Sequence, residues 1–307
     1  MKNHVLTILA VFTILLMFVG ASGNALFTNI EINNNSSDQI LLSINLADDI
    51  IIRIPDKNFE SIIRELILKP TEDIRASDVA GITHLEVQEA FIIDLTGIEY
   101  FIALEWLECG SNELTSLDVS NNTALKVLGC AENSLKTLDV SRNPALEWLD
   151  CFDNDLTTLD VSLSPMLIGL GCSGNRLTVL DVSANSVLES LSCFTNQLIS
   201  LSLCNKPALK ELHCYDNRLA TLDLSQSPTL EVLYCDNNSL TLLDVSRNLM
   251  LKRLGCEDNQ LVNLDVSHNL SLKILICQNN LFPNKSAIIG LDENKLEFFA
   301  FDPQRTQ

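Results

Sequence analysis

From about residue 104 onward the chain repeats one short phrase of apolar and polar positions. Leu146-x-x-Leu149-x-Cys151-x-x-Asn154 is one instance. Nine cysteines, Cys109, Cys130, Cys151, Cys172, Cys193, Cys214, Cys235, Cys256 and Cys277, follow one another every 21 residues, and an asparagine stands three places after each. Around the second leucine and the cysteine, apolar and variable positions alternate with period two. That predicts a short strand whose alternate side chains point inward. The asparagine comes where the chain must turn, and its amide suits the backbone groups of its own and the next turn. Most units continue as Leu-Asp-Val-Ser, as at residues 117–120. This predicts a return segment with Leu and Val inward, Asp outward and Ser in a local turn bond. A unit of 21 residues cannot bury its own apolar side, so the units must stack and share one core under a parallel sheet.

The flanks of the repeats carry different patterns. After Ile54-Pro55-Asp56, the residues Phe59, Ile62, Ile63 and Leu66 keep helical spacing until Pro70, and a second short helix is predicted over 77–80. A degenerate unit has Val87 at the cysteine position and Ala90 at the asparagine position; near the other end Phe301 takes the cysteine position of a closing strand. The expected organisation is a signal peptide over 1–23, a loose leader over 24–51, a helical N-terminal cap over 52–81, repeats over 82–295, and a C-terminal capping strand and tail over 296–307. The signal-peptide reading rests on Lys2, an apolar run from Val5 to Val19 and the small residues Gly20 to Gly23. That run is short of the ~20 residues a spanning helix needs. An exported protein, secreted or extracytoplasmic, with no membrane span after cleavage is expected.

These motifs resemble the leucine-rich repeat family, and cysteine in place of the third strand leucine resembles the cysteine-ladder, internalin J-like subtype of secreted bacterial proteins. The resemblance covers residues 52 to 302. It implies an α/β repeat solenoid: a right-handed arc with a parallel concave sheet of about eleven rungs. It also implies a role in adhesion or host-surface interaction. The sequence carries no wall-sorting motif and no immunoglobulin-like or mucin-binding module, so stable surface attachment is not expected.

Cysteine chemistry follows from the geometry of the stack. Ten cysteines in an exported chain would ordinarily be read as disulfides. Neighbouring rungs, however, are ~4.8 Å apart with parallel Cα–Cβ vectors, beyond the ~3.8 Å Cβ separation a disulfide prefers. Nine reduced, buried thiols are expected, with Cys204 a tolerated replacement of the turn serine. A line of sulfurs does not converge on a point, so no metal or other cofactor is expected. Asp153-Asn154-Asp155 lacks the distal Glu of a calcium loop.

Composition narrows the function. Asp and Glu number 40 against 20 Lys and Arg, a net charge of −20, and 47% of residues are hydrophobic. Such a chain folds, and its field repels nucleic acid and anionic membranes. With side chains at −2 and 0 inward, those at −3, −1 and +1 face outward from the sheet. Trp106, Trp148, Phe152, Phe194, Glu211, His213, Tyr215, Tyr234, Asp236 and Arg253 are therefore the candidate ligand-binding residues. The rung of Gly169, Gly171 and Ser173 is expected to leave a notch with aromatic walls. The competing reading is that neighbouring rings merely cover one another. No catalytic residues are assigned, and an enzyme is not expected: His84 and His268 lie away from the centre, and His213 beside Glu211 and Tyr215 fits ordinary surface polarity. The expected partner is a protein, with a glycan as second candidate, bound by a monomer. The alternative is a structural, envelope-associated protein making contacts through its convex side or ends.

Overall fold

The computed structural model describes residues 30–32, 42–44 and 49–305. The predicted signal segment lies outside the described residues. The chain forms two compact units, Met1–Ile51 and Ile52–Gln307. In the first, Ile30–Ile32 pairs antiparallel with Leu42–Ile44, so the segment expected to be a loose leader contains a strand pair.

In the second unit eleven short parallel strands, from His84–Glu86 to Phe298–Ala300, form one sheet in sequence order. Register follows the repeat. Leu107 lies beside Leu128, Leu128 beside Leu149 and Leu149 beside Leu170. The inward leucines and all nine ladder cysteines are buried. A slip of one residue would turn every leucine and thiol to solvent, which is why the period fixes the pairing. Each cysteine N–H donates to the next rung, as Cys130 does to Asp150 O at 2.8 Å and Cys151 to Gly171 O at 2.8 Å. All ten cysteines are free thiols; Cys204 is exposed. Burial raises the ladder thiols, Cys172 to about 12, so they behave as small apolar groups.

The asparagines hold successive turns together, reaching back to the preceding turn instead of forward as expected. Asn133 donates to Cys130 O and to Cys109 O of the turn before, both at 3.1 Å, while its Oδ1 accepts from Leu114 N at 2.9 Å. A second file of polar residues, ten places further along each unit, closes the return side. Asn122, Asn143, Asn185, Asn248 and Asn269 are buried there, with Ser164, Lys206 and Ser227 in the intervening places. Asn143 donates to Val119 O and Asn122 O, at 3.1 and 2.9 Å. In the Leu-Asp-Val-Ser turn the aspartate is the acceptor, and the serine bonds it locally through both its N–H and its side chain. Asp118, Asp139 and Asp160 each accept from the serine N–H two residues on, at 2.9 Å, and the serine side-chain and N–H bonds together hold the carboxyls below their usual range.

Both ends of this unit are closed. Helix α1, Lys57–Leu66, is capped by Asp56, whose Oδ1 accepts from Asn58 N and Phe59 N while Oδ2 accepts from Ile93 N. That second contact ties the helix to the first rung, and Phe59 and Ile63 are fully buried. A four-residue helix, α2, spans Ala76–Val79. At the far end Phe301 replaces the thiol and packs on Phe282, ring centroids 6.1 Å apart. Gln304 then takes the asparagine's place, donating to Cys277 O at 3.1 Å.

Candidate functional site

Outward side chains of the sheet lean toward the next rung, and glycines decide where they settle. A Cβ at Gly169 would collide with the six-membered ring of Trp148, one at Gly129 with the Glu108 carboxylate, and one at Gly171 would lie 2.5 Å from Asp150 Oδ1. Farther on, a Cβ at Gly255 would meet Tyr234 Cδ1 at 2.5 Å and Asp236 Oδ1 at 2.7 Å. The expected notch at Gly169 and Gly171 is thus occupied by Trp148 and Asp150 of the rung before. The small residues act as seats for their neighbours' side chains.

Two clefts result. The first, about 350 Å³, is bounded by Trp106, Trp148, Glu108 and Asp150 and floored by Gly169 and Ser190. Both indoles are well exposed, Trp106 at 37% and Trp148 at 48%. The second, about 500 Å³, is lined by Tyr215, Tyr234, Asp236, Glu257 and the loop acids Asp216 and Asp258. Those two loop residues are in the left-handed region, φ 53° and 51°, where the chain turns out of each strand. Phe194 stacks on Tyr215 with ring centroids 4.4 Å apart and planes 8° from parallel. His213 tilts against Tyr234 at 5.3 Å, and burial lowers its pKa. Rings of adjacent rungs therefore do cover one another here, and Trp106 likewise stacks on His84 with centroids 6.2 Å apart, whereas Trp148 lies over Gly169. Phe152 is half-buried, and Glu211 and Arg253 stand exposed two rungs apart; these three line neither cleft.

Partly buried carboxylates line both clefts beside the rings. Desolvation by burial, with repulsion from Asp150 and Glu86 added, raises Glu108 above the usual carboxylate range, and burial raises Asp150. Asp236 is pushed up to about 6, chiefly by burial, although its Oδ1 accepts from Glu257 N at 3.0 Å. Glu257 is raised by burial and by the charge of Asp258. Nearby lysines are committed to one flank of the sheet, where Lys126 pairs with Glu105 and Lys210 with Glu189, both at 2.7 Å, and Lys252 with Glu231 at 2.5 Å. Ser173, on the same outward face, is 3% exposed and its hydroxyl has no hydrogen-bond partner among the described residues. Among the described residues there is no cluster of His, Cys, Asp and Glu arranged to hold a metal ion, and no helix long and apolar enough to cross a membrane.

No protein-family model matches the chain. Over 70 residues it is 38% identical to internalin J of Listeria monocytogenes serotype 4b (strain F2365), an alignment covering 22% of this chain and 8% of that protein. The solved functional domain of InlJ from Listeria monocytogenes, which includes a cysteine ladder, superposes with a TM-score of 0.66 and 33% identity over 80% of this chain and 59% of that one. An internalin, InlF, from Listeria monocytogenes strain 4b F2365 shares the fold, with a TM-score of 0.74 at 20% identity over 82% of this chain and 77% of its own. This chain thus spans somewhat more than half of the InlJ domain and a small part of full-length internalin J. The buried thiol file, the asparagine file and the parallel one-strand-per-turn sheet, together with that similarity, make the chain a leucine-rich-repeat protein of the cysteine-ladder, internalin J-like type.

Proposed function

We propose that this protein is an exported recognition module that binds a partner protein through the outward face of its sheet, as an adhesin would, without catalysing a reaction. The observation that carries the reading is the pair of exposed indoles, Trp106 and Trp148, set beside half-desolvated carboxylates on a face whose backbone is fixed by eleven paired strands. Rigid aromatic groups lose little entropy on binding and are the usual anchors of protein interfaces. A glycan is the second ligand class such a face suits. The test is partner capture from host-surface extracts by wild type and by the Trp148→Ala/Phe194→Ala variant. Capture should be abolished while the circular dichroism spectrum is unchanged; undiminished capture would sink the assignment of this face.

A second reading, contact through the turn side, is favoured by one observation. Leu163, Met166 and Leu270 are exposed there at 57%, 54% and 79%. Capture that survives every sheet-face substitution but fails when these three become serine would support the envelope-associated role.

A further inference from the structure

We propose that the partner segment is basic: an extended chain that crosses the sheet face and places a lysine or arginine side chain in each of the two clefts. The proposal rests on the sheet face being the recognition surface, and it names the chemistry of what that surface recognises.

The clefts offer acceptors and ring faces. Glu108 and Asp150 flank the first, Asp236 and Glu257 the second, and among the described residues none of these four is held in an ion pair. Each is partly stripped of water, so an incoming cation recovers Coulomb energy that a neutral ligand cannot supply. Each cleft also presents aromatic faces, two indoles in one and two phenols in the other, on which an ammonium or guanidinium gains about 0.5–2 kcal/mol. A neutral sugar would need donors as well as acceptors; the first cleft has the Ser190 and Ser192 hydroxyls and the indole N–H groups of Trp106 and Trp148 to offer, so the oligosaccharide arm of the test decides between the two ligand classes.

Spacing makes the proposal specific. Between the strands of Trp148 and Tyr234 lie four rung steps, and the centres of the two clefts are a little farther apart, roughly 20–25 Å at ~4.8 Å per strand. An extended chain at ~3.3 Å per residue covers that distance in about six to eight residues. From the edge of the first cleft the path crosses the small side chains of Ser190 and Ser192, where a main chain can approach the sheet, and then the rung of Glu211 and His213, of which Glu211 stands exposed as a further acceptor.

The probe is a fluorescent Gly/Ser peptide carrying two arginines about seven residues apart, titrated by anisotropy against the full chain at low and high salt. The two-arginine peptide should bind at least tenfold more tightly than a one-arginine peptide or its citrulline analogue, and weaken with salt. Glu108→Gln/Asp150→Asn and Asp236→Asn/Glu257→Gln should each weaken it about tenfold. Asp139→Asn/Asp160→Asn removes the same charge from the turn side and should leave binding within about twofold. Equal binding of the citrulline peptide, an equal effect of the turn-side pair, or no binding at all would overturn the proposal. So would a neutral oligosaccharide that binds in a Trp148-dependent way while the basic peptide does not. If natural partner capture still depends on Trp148 while the arginine peptide fails, the basic-segment inference alone falls; loss of that dependence removes the recognition face itself.

Discussion

Replacing Asn154 with alanine removes a single amide from the inner turn of the third cysteine rung, and the structure sets the cost. Asn154 Nδ2 donates to Cys130 O at 3.1 Å, Cys151 O at 3.2 Å and Phe152 O at 3.3 Å, and Oδ1 accepts from Leu135 N at 2.9 Å. The carbonyls are shared. Cys130 O keeps Asn133 as donor and Cys151 O keeps Asn175, so neither is orphaned. Leu135 N–H, a buried donor, loses its side-chain acceptor outright. One unsatisfied buried N–H costs about 1–3 kcal/mol, and the weakened shared bonds add about 0.5–1.5 kcal/mol each. The expected loss is about 3–5 kcal/mol, on the order of 10 °C in melting temperature for a unit of this size. Thermal melts followed by circular dichroism should show it. Asp160→Ala, which removes an exposed turn cap, should cost about 1 kcal/mol or less. A fall of only a degree or two for Asn154→Ala, or equal effects of the two variants, would refute the claim that the asparagine file is what ties turn to turn.

Three further outcomes follow from individual residues. Asp236 is raised in the native state, so the folded protein binds its proton more tightly than the unfolded chain. Stability should therefore increase as pH falls from about 7 toward 4, by on the order of 2–3 kcal/mol, and Asp236→Asn should flatten that rise in melts taken across the range. The turn aspartates act with opposite sign below their ordinary pKa, so stability should decline again under about pH 4. Lys206 sits fully buried in the second polar file where most units have asparagine, and desolvation lowers its pKa; Lys206→Asn should raise the melting temperature by a few degrees, about 1–2 kcal/mol. Thiol titration of the native protein should label Cys204 promptly and the nine ladder cysteines only after unfolding, with no disulfide to reduce first.

The stack was legible in the sequence because two residue types, cysteine and asparagine, keep an unbroken interval of 21, and a parallel sheet converts that interval directly into register. The caps were legible from Asp56 followed by helical spacing and from Phe301 at a thiol position. The second polar file escaped notice because it mixes residue types. Asn122, Asn143, Ser164 and Lys206 share a buried place but no side chain: Asn143 and Ser164 bond the carbonyl of the same place one turn before, and Lys206 bonds Cys204 O and Asn205 O of its own turn. The serine's local turn bond is legible from its type, but that its acceptor is the aspartate two residues before it takes the side-chain conformation. At the site, single-residue columns identified which groups face outward. They did not reveal that a bulky side chain leans over the glycine of the next rung, since that depends on contacts between units 21 residues apart. For the same reason a rung of Gly169 and Gly171 suggests an opening in the sequence where Trp148 and Asp150 settle in the structure.

The proposed recognition requires the partner to lie across the outward face of the sheet. A photoreactive amino acid placed at Ser190, on the floor of the first cleft, and separately at Thr158, on the turn side, tests this when the captured complex is irradiated and its adducts are mapped. Crosslinks to the partner are expected from position 190 and none from position 158; adducts formed from 158 and absent from 190 would rule out recognition through this face.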